Sequence, residues 1–439
     1  MFSRDFFNRM DFFLIAAVVI TVVFGILMIY SAGYDPIEKV NSGLYKKQII
    51  WFIISLIFLA MMSIVNYRQM GDYSLHIYGF LIFILLVTTL FGRPIRGTSA
   101  WLTFGIFSIQ PSEFMKLGVV IVLAKYLELR ERDISNFREL LVPSLFTLVP
   151  VLIILKQPDF GTAAIFIPVF FTMLFIGGAD VSHLVSIILI AVIGLVFPMM
   201  LTYWEWAGYK GTNFIIQFFL HVDVLFTVAG VLLIIAMSTF VVHYFTQKGF
   251  LRRIYIPATV VSLGLFLSVI IQNLFKEYQK KRILVFLNPD LDPHGSGYNI
   301  IQSKVAIGSG GFFGKGFMSG SQTQLGYLPE KTTDFIFSVV AEEFGLVGAL
   351  LLLLLMGMII YRGIRISLET KDKFGAMLAT GVTSILFFHT FINIGMVIGI
   401  MPVTGLPLCF MSYGGSNLFM AMMGIGILNN VQMNSSRNW

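Results

Sequence analysis

Long apolar segments alternate with short polar ones along almost the whole chain of 439 residues. A helix that crosses a membrane needs about 20 consecutive, mostly apolar residues. Twelve segments reach this length, with predicted bounds 11–32, 47–65, 74–91, 111–128, 138–155, 161–178, 183–203, 222–245, 254–274, 335–361, 374–400 and 406–430. The pattern predicts an all-α, polytopic integral membrane protein with about 12 transmembrane helices, and it gives no separate strand signal.

The composition agrees with this picture. Hydrophobic residues make up 57% of the chain and charged residues 12%, with a mean hydropathy of +0.86, whereas soluble proteins carry roughly 25% charged residues. The net charge of +7 predicts no nucleic-acid partner, because membrane proteins collect Lys and Arg in their cytoplasmic loops. The lone Cys409 excludes a disulfide framework and a cysteine metal site, and the six histidines show no zinc-ligand spacing.

The positive charges also predict the orientation of the chain. They cluster near both termini and in alternate loops, at Arg4, Arg9, Arg68, Arg130, Arg132, Arg138, Lys248, Arg252, Arg253, Arg362, Arg365, Lys371, Lys373 and Arg437. By the positive-inside rule these loops and both termini face the cytoplasm, so loops 92–110 and 275–334 face outward. Lys276, Lys280, Lys281 and Arg282 begin the second outer loop and either contact headgroups or bind lipid phosphates.

A polar, glycine-rich stretch from Tyr298 to Gly345 stands out in this apolar chain. Glycine tolerates positive φ, which lets bare main-chain amides approach a bulky anion. Asp334 is its focal carboxylate. It belongs to a Thr-Thr-Asp cluster directly before an apolar run, so it is either one of three candidate helix caps or a group that accepts a proton or holds a divalent cation. Glu342 and Glu343 cannot both share its helix face; one is expected to line a cavity and the other to contact polar loop atoms.

Further polar residues mark the heads of other helices. Glu113 and Lys116 are three residues apart and therefore predict an ion pair, which either shapes a cavity or contacts a ligand. Gln110 or Ser112 is a candidate cap for that helix, which Pro111 begins. Asp159 is predicted to cap the sixth helix.

Two other positions have a structural and a functional interpretation. Trp101 in loop 92–110 is either an interfacial anchor or part of the wall of an outer cleft. His389 and Asn393 stand four residues apart in an apolar segment, so they predict hydrogen bonds inside the membrane.

Several of these stretches resemble one family closely. They are GYNIIQSKVAIGSGGFFGKG, QTQLGYLPEKTTDFIFSVVAEEFGLVG, FSIQPSEFMK, QPDFGTA and INIGMVIGIMPVTGLPLCFMSYGGS. The chain is similar over nearly its whole length to the SEDS family of bacterial morphogenesis proteins, named for shape, elongation, division and sporulation. IIQSK followed by IGSGG and GKG resembles the elongation members more than the division members.

The resemblance implies a GT-C-like membrane fold and an inverting peptidoglycan glycosyltransferase. Such an enzyme polymerises lipid II at the outer face of the bacterial cytoplasmic (inner) membrane during elongation. Its expected partners are a class B penicillin-binding protein, which is a transpeptidase, and other membrane proteins of the elongation complex. Members have about ten helices, so the chain is interpreted as one membrane domain in which residues 204–275 form an insertion that adds two helices.

The resemblance also implies site residues. Asp334 in LPE-x-x-TDFIF is expected to be catalytic, as a general base or as a ligand of magnesium or manganese. The QPSE-x-x-K motif corresponds to residues 110–116, and the YQ-x-x-R motif to Tyr278, Gln279 and Arg282. The expected substrate-binding residues are Trp101, Arg282, Gln302, Lys304, Lys315 and Lys331, of which the four basic ones would neutralise the leaving diphosphate. The expected cavity residues are Gln110, Glu113, Lys116, Asp159, Glu342 and Glu343.

Three other functions stay open at this point. A lipid II flippase would use the same cavity, another polyprenyl-diphosphate-sugar ligase would use the same carboxylate, and a pure scaffold would need neither.

Overall fold

The computed structural model describes residues 10–36, 38–95, 98–104, 107–131, 133–206, 222–274, 285 and 296–434. Helices dominate this part of the chain. In order they are α1 (Phe12–Ala32), α2 (Leu44–Ile64), α3 (Tyr67–Asp72), α4 (Ser74–Phe91), α5 (Pro111–Leu129), α6 (Leu141–Lys156), α7 (Phe160–Gly177), α8 (Val181–Trp206), α9 (Val222–Thr246), α10 (Gly249–Leu274), α11 (Ser296–Gly310), α12 (Ser321–Gln324), α13 (Ile336–Glu369), α14 (Lys373–Val397) and α15 (Gly415–Asn434). A 3-10 helix, Phe137–Leu140, leads into α6.

Ten of the described helices are long and apolar enough to cross a membrane. They are α1, α2, α4, α6 with its 3-10 turn, α7, α8, α9, α10, α13 and α14. The two other predicted spans correspond to α5 and α15, which are not among these ten. The prediction of an all-α polytopic membrane protein is confirmed.

The expectation that the chain contains no strands is wrong for two connecting segments. Strands β1 (Tyr34–Asp35) and β2 (Val40–Asn41) form an antiparallel pair. Strands β3 (Arg93–Ile95), β4 (Thr98–Phe104) and β5 (Phe107–Ile109) form an antiparallel sheet in that order. The aromatic and β-branched residues of TSAWLTF favour a strand, and pairing satisfies main-chain groups that a helix would otherwise satisfy.

The predicted bounds mostly lie within a few residues of the observed ones, although α13 runs to Glu369, eight residues beyond its predicted end at 361. There are two further exceptions. The last predicted span, 406–430, starts too early, because α15 begins at Gly415. Residues 402–413, here called the late segment, contain no described helix. Pro402 and Pro407 lack a main-chain N–H, which disfavours a helix in this segment. The second exception is the predicted loop 275–334, which contains α11 and α12 in its described part.

The chain divides into two compact units, each with its own packing. The first holds residues 1–179 and 299–439, and within it α14 packs against α5, α7, α13 and α15. The second holds residues 180–298, where α10 packs against α8 and α9 around Leu225, Ala229, Leu265 and Val269. Helices α9 and α10 occupy the range predicted as an added pair, and their origin as an insertion stays a prediction.

Helix α13 is broken at Gly345, where φ is 63° and ψ is −158°. Only glycine adopts this backbone conformation readily. The break would leave main-chain groups without partners, but the glycine loop, defined here as residues 310–316, supplies them. Four amides join helix and loop: Lys315 N to Glu342 O (3.0 Å), Gly316 N to Glu343 O (2.9 Å), Leu346 N to Gly311 O (2.9 Å) and Val347 N to Phe312 O (3.2 Å). The polar stretch of the sequence is thereby fixed to the first part of α13.

Candidate functional site

Asp334 lies in a tight turn, residues 330–335, directly before α13. The main-chain amides of Thr333, Asp334 and Phe335 all donate to the carbonyl of Glu330, at 3.1, 3.1 and 3.3 Å. Glu330 has a positive φ of 49°, which is uncommon for a residue with a side chain. The turn is therefore a defined conformation, and Asp334 is half-buried within it.

Three successive carbonyls of this turn accept hydrogen bonds from other parts of the chain. The donors are Tyr413 N to Thr332 O (2.9 Å), Ser412 Oγ to Thr333 O (2.5 Å) and Asn393 Nδ2 to Asp334 O (2.8 Å). Two donors belong to the late segment and one to α14. The main chain of Asp334 is thus held by elements that follow it by 59 residues or more in sequence.

The interpretation of the Thr-Thr-Asp cluster as a helix cap is wrong. Helix α13 begins at Ile336, and its N-cap position is occupied by Phe335, which forms no side-chain cap. Thr333 Oγ1 instead donates to Glu330 Oε2 at 2.9 Å. Asp334 stands one residue ahead of this position, so it is not the N-cap residue of α13.

Glu342 holds together the polar segments that precede the turn of Asp334. Its side chain is fully buried, yet its two carboxylate oxygens accept from six donors. These are Lys315 Nζ (2.9 Å), Thr323 Oγ1 (2.7 Å), Gln322 N (2.8 Å), Thr323 N (3.0 Å), Ser321 Oγ (3.2 Å) and Ser309 Oγ (3.5 Å). A buried carboxylate needs such compensation, since ionised groups are costly to desolvate. Glu342 therefore ties α11, α12 and the glycine loop to α13.

Glu343, the next residue, has a different environment. Its Oε1 accepts from Ser31 Oγ of α1 at 2.5 Å, and Gln324 Nε2 donates to the carbonyl of Ser31 at 3.1 Å. Its Oε2 is buried and has no hydrogen-bond partner among the described residues. The sequence predicted that one of these two carboxylates lines a cavity and that the other contacts polar loop atoms. Glu342 has the second of these environments.

Lys331 and Lys315 belong to the same hydrogen-bond network around Glu342. Lys331 Nζ donates to the carbonyl of Thr323 at 2.5 Å, and Thr323 in turn binds Glu342. Burial lowers the pKa of the Lys331 ammonium below its ordinary value of 10.5, and the nearby carboxylates of Asp35, Glu342 and Glu343 oppose part of that shift. The Lys315 side chain is 27% exposed, so it keeps contact with solvent.

Gln302 and Lys304 lie on α11, on either side of Ser303. Ser303 Oγ lies 2.6 Å from the carbonyl of Val397 and 2.8 Å from Ser338 Oγ, which attaches α11 to α13 and α14. Gln302 is half-buried and Lys304 is exposed. The Lys304 side chain runs along Gly399, where an added Cβ would lie 2.6 Å from its Nζ.

The predicted pair of Glu113 and Lys116 exists and is part of a larger buried cluster. Lys116 Nζ lies 2.9 Å from Glu113 Oε1 and 2.7 Å from His389 Nε2 of α14. Asn417 Nδ2 of α15 donates to Glu113 Oε2 at 3.2 Å. The cluster joins α5, α14 and α15. Within it each charge is paired, whereas an isolated charge would be costly.

Asp159 caps α7 as predicted, because its Oδ1 accepts from Thr162 N at 3.0 Å. Its Oδ2 accepts from Gln110 Nε2 at 2.6 Å. Gln110 occupies the N-cap position of α5 without a side-chain cap, and Pro111 follows it at the first helical position. The two predicted caps are thus joined to each other, and only Asp159 caps its own helix.

The remaining predicted residues lie apart from these contacts. Trp101 lies on β4, pairs in register with Arg93 and is partly exposed. Arg282, together with Tyr278 and Gln279, lies outside the described residues. The structure therefore brings Lys315, Lys331, Glu342 and Glu343 together near the turn of Asp334. It places Glu113, Lys116, Gln110 and Asp159 in two further clusters.

A metal site was one of the expectations for Asp334. Within the ranges that the structure describes, no group of three or more His, Cys, Asp or Glu side chains could hold a metal ion. These residues alone do not form a protein cage for magnesium or manganese around Asp334.

Sequence reasoning missed several contacts of this site. Asn393 and His389 were expected to form hydrogen bonds within the membrane, and they do, but their partners Asp334 and Lys116 were not foreseen. Ser412 gave no signal, since a serine beside an apolar run has many interpretations. Two prolines and a glycine shortly before it, Pro402, Gly405 and Pro407, were a sign of an irregular segment.

Comparison with known proteins identifies the family. A sequence model of the cell cycle proteins FtsW, RodA and SpoVE matches residues 11–219 and 212–437. The peptidoglycan glycosyltransferase RodA of Treponema pallidum (strain Nichols) is 34% identical over 429 residues, which cover 96% of this chain and 97% of that protein. The peptidoglycan glycosyltransferase MrdB of Escherichia coli (strain K12) is 32% identical over 93% of this chain and 90% of its own length.

Among solved structures, one chain superposes with a TM-score of 0.69 at 27% identity, covering 98% of this chain and 99% of its own. It comes from work described as structural coordination of polymerization and crosslinking by a peptidoglycan synthase complex. The RodA structure of Thermus thermophilus, at 24% identity and a TM-score of 0.61, shares the fold. This chain belongs to the FtsW, RodA and SpoVE family of cell cycle proteins.

Proposed function

We propose that this chain is an inverting peptidoglycan glycosyltransferase that polymerises lipid II during cell elongation. Family membership supports this function, as do relatives named peptidoglycan glycosyltransferase over nearly the whole chain. The similarity to a chain of a peptidoglycan synthase complex supports a class B penicillin-binding protein as its crosslinking partner. Other membrane proteins of the elongation complex complete the expected set of partners.

The chain works at the outer face of the cytoplasmic membrane in this proposal. The positive charges of alternate loops put both termini in the cytoplasm, and the turn of Asp334 then faces outward. Lipid II reaches such a site from the outer leaflet, with its prenyl tail between helices.

One observation carries the assignment of the site: Asp334 and Lys331 stand three residues apart on one turn whose main chain is held from outside. Asp334 accepts the proton of a sugar hydroxyl, and the hydroxyl oxygen forms a bond to the anomeric carbon of the second substrate. The bond from that carbon to the diphosphate oxygen breaks, the electron pair leaves with the diphosphate, and the configuration inverts. A positioned base contributes about 10²- to 10⁴-fold.

The basic residues act on the leaving group. Lys331, with Lys315, Lys304 and Arg282, neutralises charge that develops on the diphosphate. If Asp334 held a divalent cation in place of accepting a proton, the ion would neutralise negative charge on the substrate phosphates.

The test is polymerisation of purified lipid II by the purified protein with its transpeptidase partner, with and without a chelator. We expect Asp334→Asn to lose about 10²- to 10⁴-fold in rate at an unchanged melting temperature. The matched control is Asp372→Asn, because Asp372 caps α14 through Gly375 N at 2.9 Å and asparagine caps equally well; we expect it to keep its activity.

Other outcomes point to other functions. Full activity of the Asp334→Asn protein would show that Asp334 is not a catalytic residue. Absence of glycan under every condition, together with movement of lipid II across vesicles, favours a flippase. Turnover of a different polyprenyl-diphosphate sugar favours a ligase of another pathway.

A further inference from the structure

Asn393 of α14 joins two segments that meet at the candidate site. Its side chain is fully buried, and its Nδ2 donates to two main-chain carbonyls. One is the carbonyl of Asp334 at 2.8 Å, and the other is that of Leu406 in the late segment at 2.6 Å. One amide group thus binds both the turn of Asp334 and the segment that packs on it.

The orientation of this amide follows from its partners. Two carbonyl oxygens within hydrogen-bonding distance require the nitrogen, since the amide oxygen would face two acceptors. The opposite atom, Oδ1, is buried without a partner among the described residues. An unsatisfied buried acceptor costs about 1 to 3 kcal/mol, so packing alone does not explain an asparagine at this position.

A second side chain holds the same turn. Ser412 Oγ donates to the carbonyl of Thr333 at 2.5 Å and accepts from Leu408 N at 2.8 Å. In addition, the main chain of Gly405 approaches the Asp334 carboxylate, where an added Cβ would lie 3.4 Å from Oδ2. The late segment therefore contacts the turn directly as well as through Asn393.

We infer that Asn393 is a positioning residue for Asp334, which it holds through the main chain, with Ser412 as a second and weaker support. This inference rests on the proposed function, in which the Asp334 carboxylate reacts. A reacting group displaced by about 1 Å can lose roughly 10²-fold in rate. Loss of the Asn393 donors therefore lowers turnover without removing any group that contacts lipid II.

The experiment compares Asn393→Asp and Asn393→Ala with the wild type in the same polymerisation assay. Asn393→Asp keeps the shape but places a carboxylate against two carbonyls, and Asn393→Ala removes the donors without adding charge. We expect kcat per folded protein to fall roughly 10- to 100-fold in either variant, with the KM for lipid II unchanged. Ser412→Ala is expected to show a smaller loss of the same kind.

Asn430→Ala is the matched control. Asn430 is also fully buried and donates to the carbonyls of Met62 and Ser63 at 2.9 and 3.0 Å. It lies roughly 22 Å further along α15 than Gly415, at 1.5 Å per residue. We expect a lower melting temperature and an unchanged kcat per folded protein.

The outcomes separate this inference from the proposed function. Unchanged kcat in folded Asn393→Ala protein, beside an inactive Asp334→Asn protein, overturns the positioning role alone. A kcat loss in Asn430→Ala as large as that in Asn393→Ala also overturns it, because any buried asparagine would then suffice. Full activity of Asp334→Asn contradicts the proposed function itself.

Discussion

The two ends of the first part of α13 are held in different ways. Before the helix, the turn of Asp334 is fixed through its main-chain carbonyls by α14 and the late segment. At the break, the main-chain hydrogen bonds to the glycine loop are supplemented by a side chain, because Glu342 accepts six hydrogen bonds from the segments around it. The main-chain contacts fix the position of Asp334, whereas the six donors give Glu342 a structural role.

The largest effect on stability is expected from Glu342→Ala. This change leaves Lys315 and the amides of Gln322 and Thr323 without their acceptor, and breaking a buried pair costs about 3 to 5 kcal/mol. Denaturation of the purified protein measures the loss. The control is Glu369→Ala in the same helix, where the pair with Arg365 is about half-exposed and no measurable change is expected. Equal effects of the two changes would contradict the structural role of Glu342.

A smaller loss of stability is expected from Gly345→Ala. Alanine at this positive φ is strained by about 1 to 3 kcal/mol, and its Cβ would lie 2.4 Å from Gly314 N. Gly357→Ala in the same helix is the control, since its Cβ meets no described atom within 4 Å. There alanine is favoured over glycine by about 0.5 to 1 kcal/mol. Melting temperatures that shift in opposite directions support the break; a shared direction argues against it.

The smallest expected effect is a shift in the pH profile through Lys331. Burial lowers its pKa below 10.5, so activity should fall as pH rises through that lowered value. Between it and 10.5 the unfolded chain binds more protons, so the free energy of unfolding rises with pH while activity falls. Lys331→Arg stays charged and should move the alkaline limb of the profile upward.

The control for this profile is Lys371→Arg, because Lys371 is exposed between α13 and α14. Its alkaline limb should coincide with that of the wild type. A limb that does not move in Lys331→Arg would show that another group sets it.

The apolar pattern predicted the helices well because the length and hydropathy of a single segment decide whether it can span a bilayer. Helix α4 has the predicted bounds 74–91, and the pair of Glu113 and Lys116 follows from local spacing. The contacts of Asp334 could not be predicted in this way, since Asn393 lies 59 residues away. Periodicity reports which face is buried and gives no information on its distant partner.

The break at Gly345 was also missed, and for a related reason. The apolar run continues across the glycine, so the pattern indicates one helix. The conformation depends on the glycine loop, whose amides and carbonyls substitute for the helical ones. A single glycine within a helical pattern does not reveal that another segment approaches it.

The same break affects how much of α13 is needed to span the membrane. Residues 346–361, which end before Arg362 and Arg365, extend about 24 Å at 1.5 Å per residue, most of a hydrocarbon core of about 30 Å. Residues 336–344 add about 14 Å and therefore need to supply only a small part of the span. This is compatible with the two adjacent glutamates, Glu342 and Glu343, that this first part of α13 carries.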